Sequence, residues 1–158
     1  MPKTPIISLS HHHQKRSTSC LPACVVMVLA HWQVRVDEAD VRRVLKTRPF
    51  SGTHAINLVR LSELGFNAWP IEGTVAELQR KVSEGAPVIA FLWTGALPYL
   101  ENLGEVDYFH TVVVVGWTDT TVWMHDPLLY DGPTELSWPE FSEAWNYTRQ
   151  MMAFIEPH

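Results

Sequence analysis

The sequence contains few cysteines and no cluster of positive charge. Cysteine occupies 2 of its 158 positions, residues 20 and 24, at a spacing of four residues. On one helix this spacing aims the two Cβ atoms poorly for a disulfide, so we expect free thiols and a reducing, cytoplasmic location. The formal net charge of −5 and the lack of a Lys/Arg block argue against nucleic acid or an anionic membrane as the main partner.

Long apolar runs are absent as well. No stretch approaches the ~18 apolar residues of a membrane span, and the N-terminus has no apolar core after its charge, so we predict neither a membrane segment nor a signal peptide. The length suits one domain over residues 1–158. A chain of this size buries about two thirds of its unfolded surface, so we expect it to fold without a metal, cofactor or disulfide.

The stretch Gln14–Trp32 joins a polar segment to an apolar one. The sequence STS at 17–19 offers N-cap residues, and the apolar residues that follow predict a buried helix that begins near Cys20. A thiol at that end meets the positive pole of the helix dipole, which lowers its pKa below the free value of about 8.5. Cys20 is therefore a candidate nucleophile, although most free cysteines are buried apolar residues. Cys24, one turn further on, is predicted to pack in the core.

A second candidate lies at the start of a predicted hairpin. The run HTVVVVGW begins with His110, a TDTT turn follows, and VWMHDP carries Asp126 just before a proline. A loop centred on Thr118 places His110 opposite Asp126, with Cβ atoms about 4.5–5.5 Å apart. An aspartate at that distance fixes the imidazole tautomer and supports an imidazolium, as in a catalytic triad. Gln14 can add its amide donors, with the Cys20 N–H, to an oxyanion hole.

Other histidines compete with His110 for the role of base. His31 lies roughly 16 Å along the helix from the nucleophile by helical rise. His125 is adjacent to Asp126 and should face the other side of its strand. His54 is within conceivable reach but has no evident carboxylate partner. The consecutive histidines His11, His12 and His13 suggest a metal ligand set, yet neighbouring side chains of an extended chain point to opposite faces, so we expect a polar loop and no metal site.

Together these residues resemble a known family. Gln14, Cys20 six residues later, the apolar helix, and His110 followed by Asp126–Pro127 are similar to the bacteriocin-processing, double-glycine-leader cysteine peptidases, which are papain-like. The resemblance implies that Cys20 is the nucleophile, His110 the general base and Asp126 the orienting acid, with Gln14 in the oxyanion hole. It also implies a peptide or protein substrate, cut after small residues such as a Gly-Gly pair.

The chain departs from that family's pattern around the nucleophile. Relatives commonly have an acidic residue before it and a glycine after it, whereas this chain has Ser19, Leu21 and Pro22. Relatives also often precede the membrane domain of an export transporter. Here nothing but Ile155–His158 stands where that domain would follow, so we expect a freestanding domain. The same triad also suits an acyltransferase or amidase, and the altered neighbours of Cys20 leave open a module that binds peptides without cutting them.

The order of the predicted elements indicates an α+β, papain-like fold, with N-terminal helices packed on a C-terminal antiparallel sheet. The segment 94–109 has no periodicity and is either a groove border or flap, or a plain connector. Helices are expected after Asp37, Thr53, Thr74 and Ser137, and the last two have capping boxes. The helix after Thr53 is expected to end at Gly65 and to bury one stripe of residues: Ala55, Leu58, Val59, Leu61 and Leu64. Strands are expected at 5–9, 66–71, 87–93, 110–126 as a hairpin, and 150–155.

Overall fold

The computed structural model describes residues 6–100 and 106–158, and it confirms the α+β prediction. No helix within these ranges is both long and apolar enough to cross a lipid bilayer. The helices are α1 (Cys20–His31), α2 (Glu38–Val44), α3 (Val75–Ser83) and α4 (Trp138–Asn146), with a 3-10 helix over Ala55–Leu64. The strands are β1 (Phe66–Glu72), β2 (Val88–Trp93), β3 (Phe109–Trp117), β4 (Thr121–His125), β5 (Thr134–Ser137) and β6 (Met151–Pro157).

The strands form one antiparallel sheet in the order β1-β6-β2-β3-β4-β5. The continuous apolar run of β2 predicts a strand covered on both faces. Val88–Leu92 are buried, α3 and α4 pack on this strand, and β6 and β3 flank it. The prediction of a central strand is therefore confirmed. The edge strand β5 was not predicted, because its short sequence TELS has one apolar residue and lacks a strand's alternation.

Helix α1 begins at Cys20, as predicted, and packs against β3. Its apolar sequence is explained by burial, since Val25, Val28 and Leu29 have no exposed surface. The N-cap prediction is only partly correct. Ser19 occupies the N-cap position, but its hydroxyl makes no capping bond and instead accepts a hydrogen bond from Arg42 on α2.

The predicted helix after Thr53 is a 3-10 helix that starts two residues later, at Ala55. Three residues per turn align positions 55, 58, 61 and 64, so Leu58 and Leu61 are fully buried while Val59 is 47% exposed. The inclusion of Val59 in the buried stripe was therefore wrong. The hydroxyl of Thr53 does not cap the helix and contacts Thr47 instead.

Of the other local predictions, those for the helix ends are confirmed and that for the first strand is not. Gly65 ends the 3-10 helix with φ 88°, and Thr74 and Ser137 cap α3 and α4 by accepting the N–H groups of Glu77 and Glu140. The predicted strand at 5–9 is not present at 6–9, where a single bond joins the Ile7 N–H to a carbonyl of β3. Residue 5 lies outside the described residues, as do 101–105 of the segment 94–109.

The hairpin of β3 and β4 has a different register from the predicted one. Val113 pairs with His125, two residues beyond the expected Trp123, and the register shifts again between Val114 and Gly116. Continued past His125, this register places Val112, and not His110, opposite Asp126. On its other side, β3 pairs His110 with Leu92 of β2. Because a displacement of two residues keeps every side chain on its face of the sheet, His110 and Asp126 still share one face.

Candidate active site

His110 and Asp126 form a hydrogen-bonded pair with no exposed surface. The imidazole Nε2 lies 2.6 Å from the Asp126 Oδ1, which is a short charge-assisted contact. If the pairing of β3 and β4 is continued past Val113 and His125, Asp126 lies diagonally across from His110. An imidazole and a carboxylate can meet across this diagonal. The predicted register was wrong, but the predicted contact exists.

The Asp126 carboxylate accepts hydrogen bonds at both oxygens. Oδ1 accepts the Leu128 N–H at 2.8 Å in addition to His110, and Oδ2 accepts the Tyr99 hydroxyl at 2.5 Å. Burial alone would raise the pKa of this carboxyl group. The positive imidazole of His110 and the three donors outweigh burial and lower the pKa, so Asp126 is an anion at neutral pH.

The other imidazole nitrogen of His110 is available to Cys20. Among the described residues, His110 Nδ1 has no hydrogen-bond partner, and the thiol of Cys20, a partly buried residue, interacts with this ring. Burial would raise the pKa of the thiol, but the His110 contact and charge lower the pKa below its ordinary value. Thr111, the next residue on β3, lowers it further through its hydroxyl and its backbone.

The charge state of His110 depends on Asp126. Burial lowers the pKa of His110, yet the Asp126 charge and hydrogen bond, together with the smaller contribution of Cys20, raise the pKa from 6.5 to about 10. The pKa of Cys20 is lowered and that of His110 is raised, so their contact shifts the pair towards a thiolate beside an imidazolium. Such a pair combines an activated nucleophile with a proton donor.

Cys24 differs from Cys20 in both surroundings and acidity. Its thiol is fully buried and donates to the Thr111 hydroxyl at 3.5 Å. Burial raises the pKa of Cys24 well above its ordinary value, and the Thr111 contact offsets only part of that increase. Cys24 is therefore a neutral core residue, as its position in the helix predicts.

Gln14 lies in the loop before α1 and is buried, with its N–H bonded to the Pro127 carbonyl at 2.8 Å. Its amide nitrogen donates to the Arg16 carbonyl at 2.7 Å and, at the longer distance of 3.4 Å, to the Ser17 carbonyl. Its Oε1 has no partner among the described residues. The backbone of Gln14 thus contacts the residue after Asp126, and its side chain contacts the loop that leads to Cys20.

A cavity of about 370 Å³ opens beside the Cys20 thiol. Its apolar walls include Phe91, Tyr108 and Phe109, and Phe50 stands at its border with 98% of its surface exposed. A second cavity of about 390 Å³ shares Phe91 and Phe109 with the first and continues to Tyr147. Both cavities have largely apolar linings, and we refer to the two neighbouring cavities together as the apolar cleft. Tyr108 and Phe109 belong to the segment 94–109, so the described end of that segment borders the cleft.

The competing histidines occupy other places. His125 Nδ1 contacts His11 Nδ1 at 2.9 Å, and burial and the charge of His11 lower the pKa of His125 to about 4. His31 packs against Trp32 at the far end of α1, and His54 lines the second cavity. Cys20 therefore meets His110 and none of these three rings.

The consecutive histidines 11–13 contact different side chains, although His11 and His13 both contact the Leu129 carbonyl. His11 also contacts the Leu129 carbonyl at 2.7 Å, His12 contacts Glu38 at 2.9 Å, and His13 stacks on Tyr130. Within residues 6–100 and 106–158, no three His, Cys, Asp or Glu side chains are grouped as metal ligands would be. The segment packs the N-terminal loop against the residues that follow β4.

Sequence reasoning missed three residues of the site. Tyr99 contacts Asp126 from a segment without periodicity, and Thr111 has the composition of an ordinary strand residue. Arg42 on α2 donates to the Thr18 hydroxyl at 3.1 Å and to Ser19, which fixes the loop before Cys20. No local pattern distinguishes Arg42 from the exposed Arg43 beside it, so only the tertiary structure identifies it.

The chain is 28% identical over 161 residues to the mesentericin-Y105 transport/processing ATP-binding protein MesD of Leuconostoc mesenteroides. That alignment covers 100% of this chain and 20% of the relative, so the chain spans a fifth of the relative's length. The likeness thus concerns one part of a longer protein.

Solved structures share the fold. The peptidase domain of Streptococcus ComA, a bifunctional ABC transporter involved in a quorum sensing pathway, has a TM-score of 0.75 at 23% identity, covering 94% of this chain and 98% of that one. A double-glycine-motif protease from an AMS/PCAT transporter, solved with its leader peptide, has a TM-score of 0.73 at 20% identity, covering 99% and 98%. These structures confirm the expected papain-like architecture.

The profile of the peptidase C39 family matches residues 8–158, nearly the whole chain. This range contains α1, the hairpin of β3 and β4, and every residue of the site described above. The resemblance inferred from the sequence is thereby confirmed, and the chain belongs to the peptidase C39 family.

Proposed function

We propose that this chain is a cysteine peptidase in which Cys20, His110 and Asp126 form the catalytic triad. The observation that carries the proposal is the arrangement of one buried ring: His110 binds Asp126 through Nε2 and leaves Nδ1 for the thiol of the partly buried Cys20. Membership of the peptidase C39 family supports the same activity.

In the first half of the reaction, the Cys20 thiolate attacks a peptide carbonyl carbon and forms a C–S bond. The carbonyl oxygen becomes an oxyanion beside the Cys20 N–H, which lies in the first turn of α1 where N–H groups have no intrahelical acceptor. Gln14 supplies a second donor by exchanging its 3.4 Å contact with the Ser17 carbonyl for the oxyanion. The imidazolium of His110 then protonates the leaving amine as the C–N bond breaks.

In the second half, water releases the acyl group. Neutral His110 takes a proton from water, the hydroxide oxygen attacks the thioester carbon, and the C–S bond breaks to restore the thiolate and the imidazolium. Asp126 holds the ring in one tautomer throughout and does not itself take the proton. The pKa of Cys20 is lowered and that of His110 is about 10, so activity should rise below the pKa of a free thiol and decline near pH 10.

We propose a peptide substrate cut after a Gly-Gly pair. The relatives named for double-glycine motifs and for peptide transport and processing support this choice. The apolar cleft from Cys20 past Phe91 and Phe109 to Tyr147 suits an extended peptide with apolar side chains.

A digest of a broad peptide library tests the proposal. The parent protein and Cys20→Ala are incubated separately, and cut sites are read by mass spectrometry. We expect products that depend on Cys20 and that end in small residues. Products whose new end carries an amine in amide linkage, in place of a carboxylate, would identify an acyltransferase, and loss of a side-chain or terminal amide group as ammonia without chain cleavage would identify an amidase. The absence of any Cys20-dependent product would identify a peptide-binding module.

Thiol labelling gives a second test that needs no substrate. Cys20 should react with iodoacetamide at about pH 6, well below the free thiol pKa of about 8.5, whereas the buried Cys24 should not. His110→Ala should suppress the reaction of Cys20. Equal, slow labelling of both thiols would refute the activated nucleophile.

A further inference from the structure

Tyr99 brings a side chain from outside the hairpin to the centre of the site. It lies in a short 3-10 turn, Pro98–Leu100, between β2 and β3, and its hydroxyl donates to Asp126 Oδ2 at 2.5 Å. Burial and the adjacent negative charge of Asp126 raise the pKa of Tyr99 above its ordinary range, so the hydroxyl remains protonated and can only donate to the carboxylate. The direction of this hydrogen bond is therefore fixed.

The two oxygens of Asp126 are not equally supported. Oδ1 accepts both the His110 ring and the Leu128 N–H, whereas the Tyr99 hydroxyl is the hydrogen-bond donor that the structure gives to Oδ2. Without that donor, a buried anionic oxygen loses its partner and the carboxylate is free to rotate about its terminal torsion. Rotation would take Oδ1 out of line with the imidazole.

The turn itself is held without the hydroxyl. The Thr94 N–H donates to the Tyr108 carbonyl at 3.0 Å, and the Tyr108 N–H donates to the Thr94 hydroxyl at 2.9 Å. Leu97 and Leu100 on either side of Tyr99 are buried in the core. Removal of the phenol oxygen alone therefore leaves the anchors of the segment in place.

We propose that Tyr99 is a positioning residue of the peptidase site, which orients the Asp126 carboxylate so that Oδ1 is presented to His110. The inference rests on the proposed triad and adds a fourth side chain to it. Tyr99 acts on Cys20 only through Asp126 and His110, so its removal should change the ionisation of the thiol and leave substrate binding unchanged. A residue that merely fills space would not change that ionisation.

The test compares the parent, Tyr99→Phe and Tyr130→Phe by the rate of iodoacetamide labelling of Cys20 across pH. Tyr130 is the matched control because its side chain is 86% exposed and it bears the same hydroxyl on the loop after β4. We expect Tyr99→Phe to label about tenfold more slowly near pH 6 and to approach the parent rate above the free thiol pKa of about 8.5, where thiolate forms without the imidazolium. Tyr130→Phe should follow the parent throughout.

Each outcome has one meaning. A pH profile of Tyr99→Phe equal to that of the parent would overturn the positioning role and leave the proposed peptidase intact. A slower rate at every pH, including the alkaline end, would also overturn it, because that result indicates general disruption. An ordinary alkaline thiol profile for Cys20 in the parent would refute the proposed activated nucleophile itself, and with it the role of Tyr99. With a cleaved peptide in hand, Tyr99→Phe should lower kcat about tenfold and leave KM unchanged.

Discussion

Replacing Asp126 by asparagine removes the charge of the carboxylate and retains its shape. The amide oxygen of the variant can still accept from His110 Nε2 and from the Leu128 N–H, and its nitrogen can donate to the Tyr99 oxygen once that hydroxyl rotates. We expect the ring to stay in place and to lose its positive charge at neutral pH. The substitution therefore isolates the electrostatic contribution of Asp126.

The size of the effect follows from the surroundings of His110. Its pKa rises from 6.5 to about 10, and Asp126 is the main cause of the rise. That difference corresponds to at most about 5 kcal/mol at about 1.36 kcal/mol per pH unit. In Asp126→Asn the burial that lowers the pKa remains, so we expect a value at or below 6.5. Activity near neutral pH should fall by about 10²–10⁴-fold, the usual contribution of a positioned acid or base.

The assay is the dependence of kcat/KM on pH, with Asp131→Asn as the control that removes an exposed charge from the same loop. The alkaline limb should move from near pH 10 to below 6.5 in Asp126→Asn and stay in place in the control. A second readout is stability. Because the pKa of His110 is higher in the folded than in the unfolded chain, its protonation stabilises the fold fully below pH 6.5, and this stabilisation is lost as the pH rises through about 10. The decline in unfolding free energy at alkaline pH should therefore disappear in Asp126→Asn. Unchanged profiles in both measurements would refute the ion pair.

Further substitutions test the surroundings of the thiol. Arg42→Met removes the guanidinium group that donates to the Thr18 and Ser19 hydroxyls, so it should lower the free energy of unfolding in urea by about 2 kcal/mol and slow the labelling of Cys20. Arg43→Met, at an exposed ion pair, should change neither quantity. Thr111→Val removes a hydroxyl that lowers the pKa of Cys20, so the onset of iodoacetamide labelling should move to higher pH, and an unmoved onset would contradict that role. The pKa of His125 is about 4 in the folded chain and 6.5 in the unfolded chain. Between these values only the unfolded chain binds the proton, so the free energy of unfolding should fall as the pH decreases from 6.5 to 4. His125→Asn should flatten that slope in urea unfolding, and an equal slope would show that another group is responsible.

Helix α1 and the central strand β2 could be predicted because their signals are local. An apolar run after polar N-cap residues sets the start of α1 at Cys20, and a continuous apolar run sets β2. The pairing of His110 with Asp126 was predicted from an incorrect register. It survived because the true register differs by two residues, and the period of a strand is also two.

Other features are not local and were not predictable from one sequence. The 3-10 geometry of Ala55–Leu64 moves Val59 off the buried stripe, although the same letters suit an α-helix. Tyr99 is 27 residues from Asp126 in the sequence, and its position depends on how the connection between β2 and β3 packs. In the sequence, Thr111 is one of several β-branched residues in a row. Its contact with Cys24 depends on the packing of α1 against β3, which the sequence does not specify locally.

The site is organised from the carboxylate outward. Burial acts against charge on Asp126, on His110 and on Cys20, so none of them would ionise at this depth without its neighbours. The Asp126 anion is supported by donors outside the Cys–His pair, from Leu128 and Tyr99, and it then supports the imidazolium, which in turn supports the thiolate. Leu128 donates through its backbone, which side-chain substitution does not remove. Tyr99 supports the same carboxylate through a side chain from outside the proposed triad. Removal of its hydroxyl should therefore change the ionisation of the Cys20 thiol through two intervening residues, Asp126 and His110.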